Sequence, residues 1–142
     1  MDHQSAMLAA RTLTAARRSG TRIDGLPDGA VPQTLADGYQ IQDVVVACHG
    51  EQVGAWKIGA THPNAQAGLG VDGAVASRLF TQNIMKGNQE LPDTYLIRGL
   101  EAEYAFLLGA DLPPTGAPYS ASQIAAAITS VHPAIEVVDT RF

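Results

Sequence analysis

Three glutamates in apolar surroundings constrain this chain more than any other feature. Glu101 and Glu103 lie in the apolar segment 100–108, and Glu136 lies in the β-branched segment 134–138. A carboxylate held away from water is costly unless it is paired, hydrogen-bonded or bound to a metal. The pattern therefore favours a shared partner for the three acids, and a divalent cation would satisfy all of them.

Strand geometry indicates how the acids could meet. Side chains alternate across a strand, so Glu101 and Glu103 share one face, and a neighbouring strand could add Glu136. Three carboxylates at close range repel one another unless a cation lies among them. Oxygen ligands without His or Cys favour Mg²⁺ or Mn²⁺ over zinc. A Glu-x-Glu pair also occurs on solvated faces beside Lys or Arg, and spacing alone leaves both interpretations open.

The other face of segment 100–108 carries only apolar side chains. We expect this face to belong to the core. Its members are Leu100, Ala102, Tyr104, Phe106 and Leu108.

Bulk properties exclude several classes of protein. With 142 residues, 46% hydrophobic and 16% charged, the chain fits one folded domain. A net charge of −5 gives no support for binding nucleic acid or an anionic membrane. The apolar runs are too short to span a bilayer, and the N-terminus lacks the features of a signal peptide. Cys48 is the single cysteine, which precludes an intrachain disulfide. We expect a cytoplasmic protein.

Local patterns predict an α+β fold. The predicted elements are helices at 5–18, 34–48 and 120–131 and strands at 53–60, 100–108 and 134–138. Pro133 is expected to end the third helix, and 61–73 is expected to be a loop. We expect one domain over 1–142, with helices in 1–50 and, in 51–142, strands and one helix that carry the metal site.

Two further residues are candidates for catalysis. Lys57 lies in a predicted strand between Trp56 and Ile58, where it could donate a proton or bind a carboxylate, or simply be an exposed strand lysine. His62 follows that strand and could act as a base, or be an ordinary loop residue. The segment 68–73 matches G-x-G-x-x-G, but no strand is predicted before it, so a loop is favoured over a dinucleotide site.

Taken in order, five motifs resemble those of the 2-keto-4-pentenoate hydratases. They are ADGYQIQ at 36–42, WKIGATHP at 56–63, LGVD at 69–72, LEAEYAF at 100–106 and PAIEVVDTR at 133–141. This family belongs to the fumarylacetoacetate hydrolase superfamily, and the 4-oxalocrotonate decarboxylases are close relatives. The resemblance covers the N-terminal part of the family only.

The resemblance implies a fold and an activity. It implies N-terminal helices followed by part of a β-rich domain of the fumarylacetoacetate hydrolase type. Members of the hydratase family are lyases that add water to 2-hydroxypenta-2,4-dienoate, giving 4-hydroxy-2-oxopentanoate in the meta-cleavage breakdown of aromatic compounds. They use Mg²⁺ or Mn²⁺, whose ligands would be Glu101, Glu103 and Glu136, and Lys57 would be the active-site lysine. Decarboxylation of a related 2-oxo diacid is the alternative.

The sequence departs from the family in two ways, and both affect whether the family's activity can be assigned to this chain. Relatives carry an acid where the alignment places Val75, and they are substantially longer. We therefore expect a truncated module that binds a small 2-oxo or 2-hydroxydienoate acid and forms a homo-oligomer or pairs with a related chain. An inactive module that pairs with a full-length partner is the alternative to an enzyme.

Overall fold

The computed structural model describes all 142 residues and confirms the predicted α+β class. Four α-helices, one short 3₁₀ turn and four strands divide into two units, residues 1–96 with 141–142, and residues 97–140. None of the helices combines the length and the hydropathy that crossing a lipid bilayer requires.

Two helices form the core of the first unit. Helix α1 spans His3–Ser19 and helix α2 spans Leu35–His49. Small side chains on α1 let the helices approach closely, and the aliphatic side chains of α2 fill the remaining space. The buried cluster consists of Ala6, Ala9, Ala10, Ala30, Ile41 and Val44.

Asp37 organises the start of α2. Thr34 caps the helix, and its side chain and that of Asp37 form a capping box. The Asp37 carboxylate also accepts hydrogen bonds from the backbone N–H groups of Gln33 and Thr34 and from the amino group of Met1. These donors, the Met1 ammonium foremost, hold the pKa of Asp37 well below its usual range.

A small antiparallel sheet follows. Strand β1 spans Val53–Gly59 and pairs with β2, Val75–Phe80. The side chain of Gln42 on α2 bonds the backbone of β2 twice, donating to the Ala76 carbonyl and accepting from the Arg78 N–H, both at 3.2 Å. Helix α2 therefore fixes the position of β2.

The expected loop at 61–73 is wrong in part, because helix α3 occupies Pro63–Leu69. Pro63 lies at the first helical position, where its fixed φ suits a helix and its missing N–H costs nothing. Gly70 closes the helix with φ of 66°, a conformation that favours glycine. These signals were present in the sequence, but the segment was too short and too rich in glycine to show helical periodicity.

The second unit is a hairpin with one short helix. Strand β3 spans Gly99–Leu108, helix α4 spans Ala121–Ala127, and β4 spans Ile128–Val138. The prediction of a helix continuing to residue 131 is wrong. Residues 128–131 are mainly β-branched and pair with β3, which outweighs their helical spacing.

Pro133 does not end a helix but lies within β4, opposite Tyr104. Proline cannot donate a ladder hydrogen bond, and it is tolerated in strands at a sheet edge. In this two-stranded sheet β4 has one neighbour only, so the other side of the strand is such an edge.

The apolar face of β3 is not core, contrary to expectation. Leu100 is 67% exposed, Tyr104 77% and Phe106 57%. Ala127 is the only buried hydrophobic residue of the second unit. The alternation of the strand was predicted correctly, but alternation cannot show whether a second layer covers the apolar side.

Replacing Asp37 by Asn should lower the melting temperature at pH 7, because the capping box and the Met1 contact both use the carboxylate. The pKa of Asp37 is lowered in the folded protein, so its stabilising effect is complete above the ordinary value of 3.8 and is lost as the pH falls below it. The difference in melting temperature between wild type and variant should therefore shrink from pH 7 to about pH 3.

Asp43→Asn on the same helix is the matched control. Asp43 pairs with Arg78, but its side chain is 63% exposed, and exposed ion pairs contribute only about 0–1 kcal/mol. Its substitution should change the melting temperature little. Equal losses for the two variants, or a loss at Asp37 that does not depend on pH, would contradict the assignment.

Candidate metal centre

The register of the β3–β4 hairpin brings the three glutamates together. Glu101 and Glu136 are direct cross-strand partners, and Glu103 lies two residues along, opposite Ala134. Directly opposed residues project from the same face of an antiparallel pair. All three carboxylates therefore leave the hairpin on one side, as strand alternation and strand pairing together require.

The carboxylates also converge in distance. One oxygen from each of Glu101, Glu103 and Glu136 lies within 4.8 Å of the others. Glu101 is exposed, whereas Glu103 and Glu136 are half-buried, and the Oε2 atom of Glu136 is buried. The expectation of three acids in a dry interior is wrong for Glu101, but the expected convergence is present.

This donor set fits a hard divalent cation. Oxygens bound to Mg²⁺ lie about 2.0–2.1 Å from the ion, so two ligands on opposite sides are about 4 Å apart. The three carboxylate oxygens are at most 4.8 Å apart, so small side-chain adjustments would bring them to the separation that a bound ion requires. Three carboxylates with no His or Cys suit Mg²⁺ or Mn²⁺ better than zinc.

Lys57 lies in the first unit, on the less exposed side of β1. Burial alternates along the strand, with Lys57 half-buried and with Trp56 and Ile58 exposed at 57% and 49%. In the small sheet its cross-strand partner is Ser77. One interpretation of the sequence was an exposed strand lysine. The half-buried side chain of Lys57 differs from that.

His62 also lies in the first unit and has a structural role. It is exposed, and its Nδ1 accepts a hydrogen bond of 3.2 Å from the backbone N–H of Asn64, capping α3. The segment 68–73 begins in the last turn of this helix, so no strand precedes it and no helix opens at it. The geometry of a dinucleotide-binding turn is therefore absent there.

Two polar residues on the glutamate face escaped sequence analysis. His132 pairs with Ala105 and so shares the face of the glutamates, and its Nε2 lies 2.8 Å from the Ser130 Oγ. Alternation back from Glu136 would have identified both residues. The signal was missed because residues 128–131 were assigned to a helix.

Comparison with known proteins identifies relatives of the chain. No protein-family model matches it. A 144-residue alignment with the 2-keto-4-pentenoate hydratase of Burkholderia vietnamiensis shows 34% identity and covers 99% of this chain. The resemblance to the 2-keto-4-pentenoate hydratase family is confirmed. The alignment covers 54% of that relative, so the chain spans about half the length of the curated hydratase it matches.

A solved structure shares the fold of the hydratase-like chain. It is the 4-oxalocrotonate decarboxylase from Pseudomonas putida G7, complexed with magnesium and adipate. The superposition has a TM-score of 0.81 at 22% identity and covers all of this chain and 55% of that one. The mixed helices and small antiparallel sheets of this chain are therefore part of a larger known fold.

Proposed function

We propose that this chain is a module of a metal-dependent hydratase that adds water to 2-hydroxypenta-2,4-dienoate, giving 4-hydroxy-2-oxopentanoate. The observation that supports this most directly is the convergence of Glu101, Glu103 and Glu136 on one face of the hairpin. The relative's name supports the reaction, and the magnesium in the decarboxylase structure supports the choice of ion.

Glu101, Glu103 and Glu136 would hold a Mg²⁺ or Mn²⁺ ion through carboxylate oxygens. When bound, such an ion supplies Lewis acidity, which stabilises negative charge that develops on an oxygen of a 2-oxo acid. Without a cation, a cluster of three acids would repel an acidic substrate. The three glutamates would therefore contribute to binding of the anionic substrate by holding the cation.

The resemblance to the hydratases makes Lys57 the active-site lysine of the proposed reaction, and it would act through its Nζ. A lysine ammonium can bind the substrate's carboxylate, or donate a proton as the dienol becomes the ketone. Its half-buried position on β1 supports such a role, because a partly desolvated ammonium interacts more strongly with an anion. His62 is the second candidate for proton transfer, through Nε2, since Nδ1 accepts the capping bond.

Two alternatives have specific support. Decarboxylation of a related 2-oxo diacid is supported by the solved decarboxylase, which shares the fold. A non-catalytic role, as a module that pairs with a full-length relative, is supported by the exposed apolar side of β3.

Metal binding tests the site without reference to turnover. Titration of wild type with Mn²⁺, followed by electron paramagnetic resonance, should show one site. Glu103→Gln and Glu136→Gln should each weaken binding at least about tenfold, because each removes an anionic ligand. Glu90→Gln, an exposed glutamate outside the cluster, should leave the affinity unchanged. Equal affinities in all four proteins would disprove the metal assignment.

Turnover distinguishes the candidate reactions. With Mg²⁺ present, the hydratase proposal predicts that 2-hydroxypenta-2,4-dienoate is converted without release of CO₂, whereas a decarboxylase would release CO₂ from a 2-oxo diacid. Lys57→Met should lower kcat about 100-fold or more, and Lys86→Met, an exposed control, should not. If neither substrate is converted, the non-catalytic module is supported instead.

A further inference from the structure

The face of the β3–β4 hairpin that carries the glutamates also carries one histidine. Counting back by twos along β4 from Glu136 leads through Ala134 to His132 and Ser130, and His132 pairs with Ala105 on β3. Because alternate residues of a strand project from one face, these side chains all leave the hairpin on the same side. Besides the three glutamates, His132 is the only ionisable side chain on this face of the hairpin.

The histidine lies one small molecule's length from the acids. Glu103 pairs with Ala134, which is two residues from His132, so Glu103 and His132 are diagonal neighbours across the two strands. Diagonal neighbours in an antiparallel pair are about 7–8 Å apart. A gap of this width is too long for a hydrogen bond, but a ligand of a few carbon atoms spans it.

Ser130 restrains the imidazole of His132. The Oγ atom of Ser130 lies 2.8 Å from the Nε2 atom of His132, which is a normal hydrogen-bond length. The hydroxyl can accept from Nε2–H or donate to a bare Nε2, so the bond forms in either neutral tautomer. Nε2 is thereby occupied, and Nδ1 is the ring nitrogen that has no hydrogen-bond partner in the protein.

The Ser130–His132 pair contributes little to folding. The bond joins exposed groups, which hydrogen-bond equally well to water when the chain unfolds, so its net effect on stability is small. What the pair does provide is a polar atom in a restrained orientation, on the same face as the candidate metal ligands. That combination is typical of a side chain that contacts a ligand.

We propose that His132, oriented by Ser130, binds the oxygen at the fourth carbon of a 4-hydroxy-2-oxo acid and makes the site selective for acids that carry this oxygen. The assignment rests on the proposed function, in which the glutamates hold the cation for the acid end and water is added at the fourth carbon. A hydroxyl both donates and accepts, so Nδ1 can bond to it in either tautomer.

The dimensions of the acid match the gap. Four bonds separate the carboxylate carbon of 4-hydroxy-2-oxopentanoate from its 4-hydroxyl oxygen, and an extended chain of four bonds spans about 5 Å. A hydrogen bond from that oxygen to Nδ1 adds about 2.8 Å. The sum is close to the separation of diagonal neighbours, so an acid whose carboxylate end lies near Glu103 places its hydroxyl at His132.

Binding of two acids to the full chain, saturated with Mg²⁺, tests this role by calorimetry. The probes are 4-hydroxy-2-oxopentanoate and 2-oxopentanoate, which differ only in the 4-hydroxyl. The wild-type chain should bind the hydroxylated acid about 2- to 10-fold more tightly, the net effect of one hydrogen bond between uncharged groups. His132→Phe keeps a ring but removes its nitrogens, and it should bind the two acids equally.

Two further variants separate orientation from a general effect on the hairpin. Ser130→Ala releases the imidazole and should reduce the preference for the hydroxylated acid without abolishing it. Tyr104→Phe is the matched control, because it removes a hydroxyl from the opposite face of the hairpin, where Tyr104 is 77% exposed. This control should keep the wild-type preference. All three variants should keep the wild-type affinity for Mn²⁺, measured by electron paramagnetic resonance, because none removes a proposed ligand.

The outcomes distinguish the role of His132 from the proposed function. A wild-type chain that binds Mn²⁺ and both acids but shows no preference would overturn the role of His132 alone, as would a preference that His132→Phe retains. Loss of Mn²⁺ affinity in His132→Phe would also overturn it, since the histidine would then belong to the metal site. A wild-type preference in Ser130→Ala would overturn the orienting role of Ser130. A wild-type chain that binds neither Mn²⁺ nor the acids would overturn the proposed function, and the role of His132 with it.

Discussion

The antiparallel register of β3 and β4 determines most of the properties of this chain. Glu101 opposes Glu136 and shares its face with Glu103, whereas Leu100, Ala102 and Tyr104 lie on the other face. A shift of one residue would move Glu136 to the apolar face and separate the acids. The register thus generates both the candidate metal centre and the apolar face.

The two faces of the hairpin make opposite demands on their surroundings. The glutamate face brings three carboxyl groups together at a partly exposed site, where a cation would stabilise them. The apolar side of β3 is exposed, because the second unit contains no layer that covers it.

The elements that could be predicted from the sequence are those whose signals are local. Thr34 with Asp37 marks the start of α2, and the alternation of apolar residues with Glu101 and Glu103 identifies β3. Other features were missed, including strand β2 at Val75–Phe80, which local patterns did not predict. Helix α3 is too short to show periodicity, and the start of β4 at Ile128 depends on pairing with β3, a contact between residues distant in sequence.

The candidate site was predicted better than its environment. Alternation predicted that Glu101 and Glu103 share a face, and the apolar segment around Glu136 predicted a second strand that could bring the third acid near them, as the structure does. Burial depends instead on which layers are present. The most direct test of the account is anomalous X-ray diffraction from crystals of the chain grown with Mn²⁺. The account predicts one strong peak within coordination distance of Glu101, Glu103 and Glu136. Peaks elsewhere, with none between these carboxylates, would contradict it.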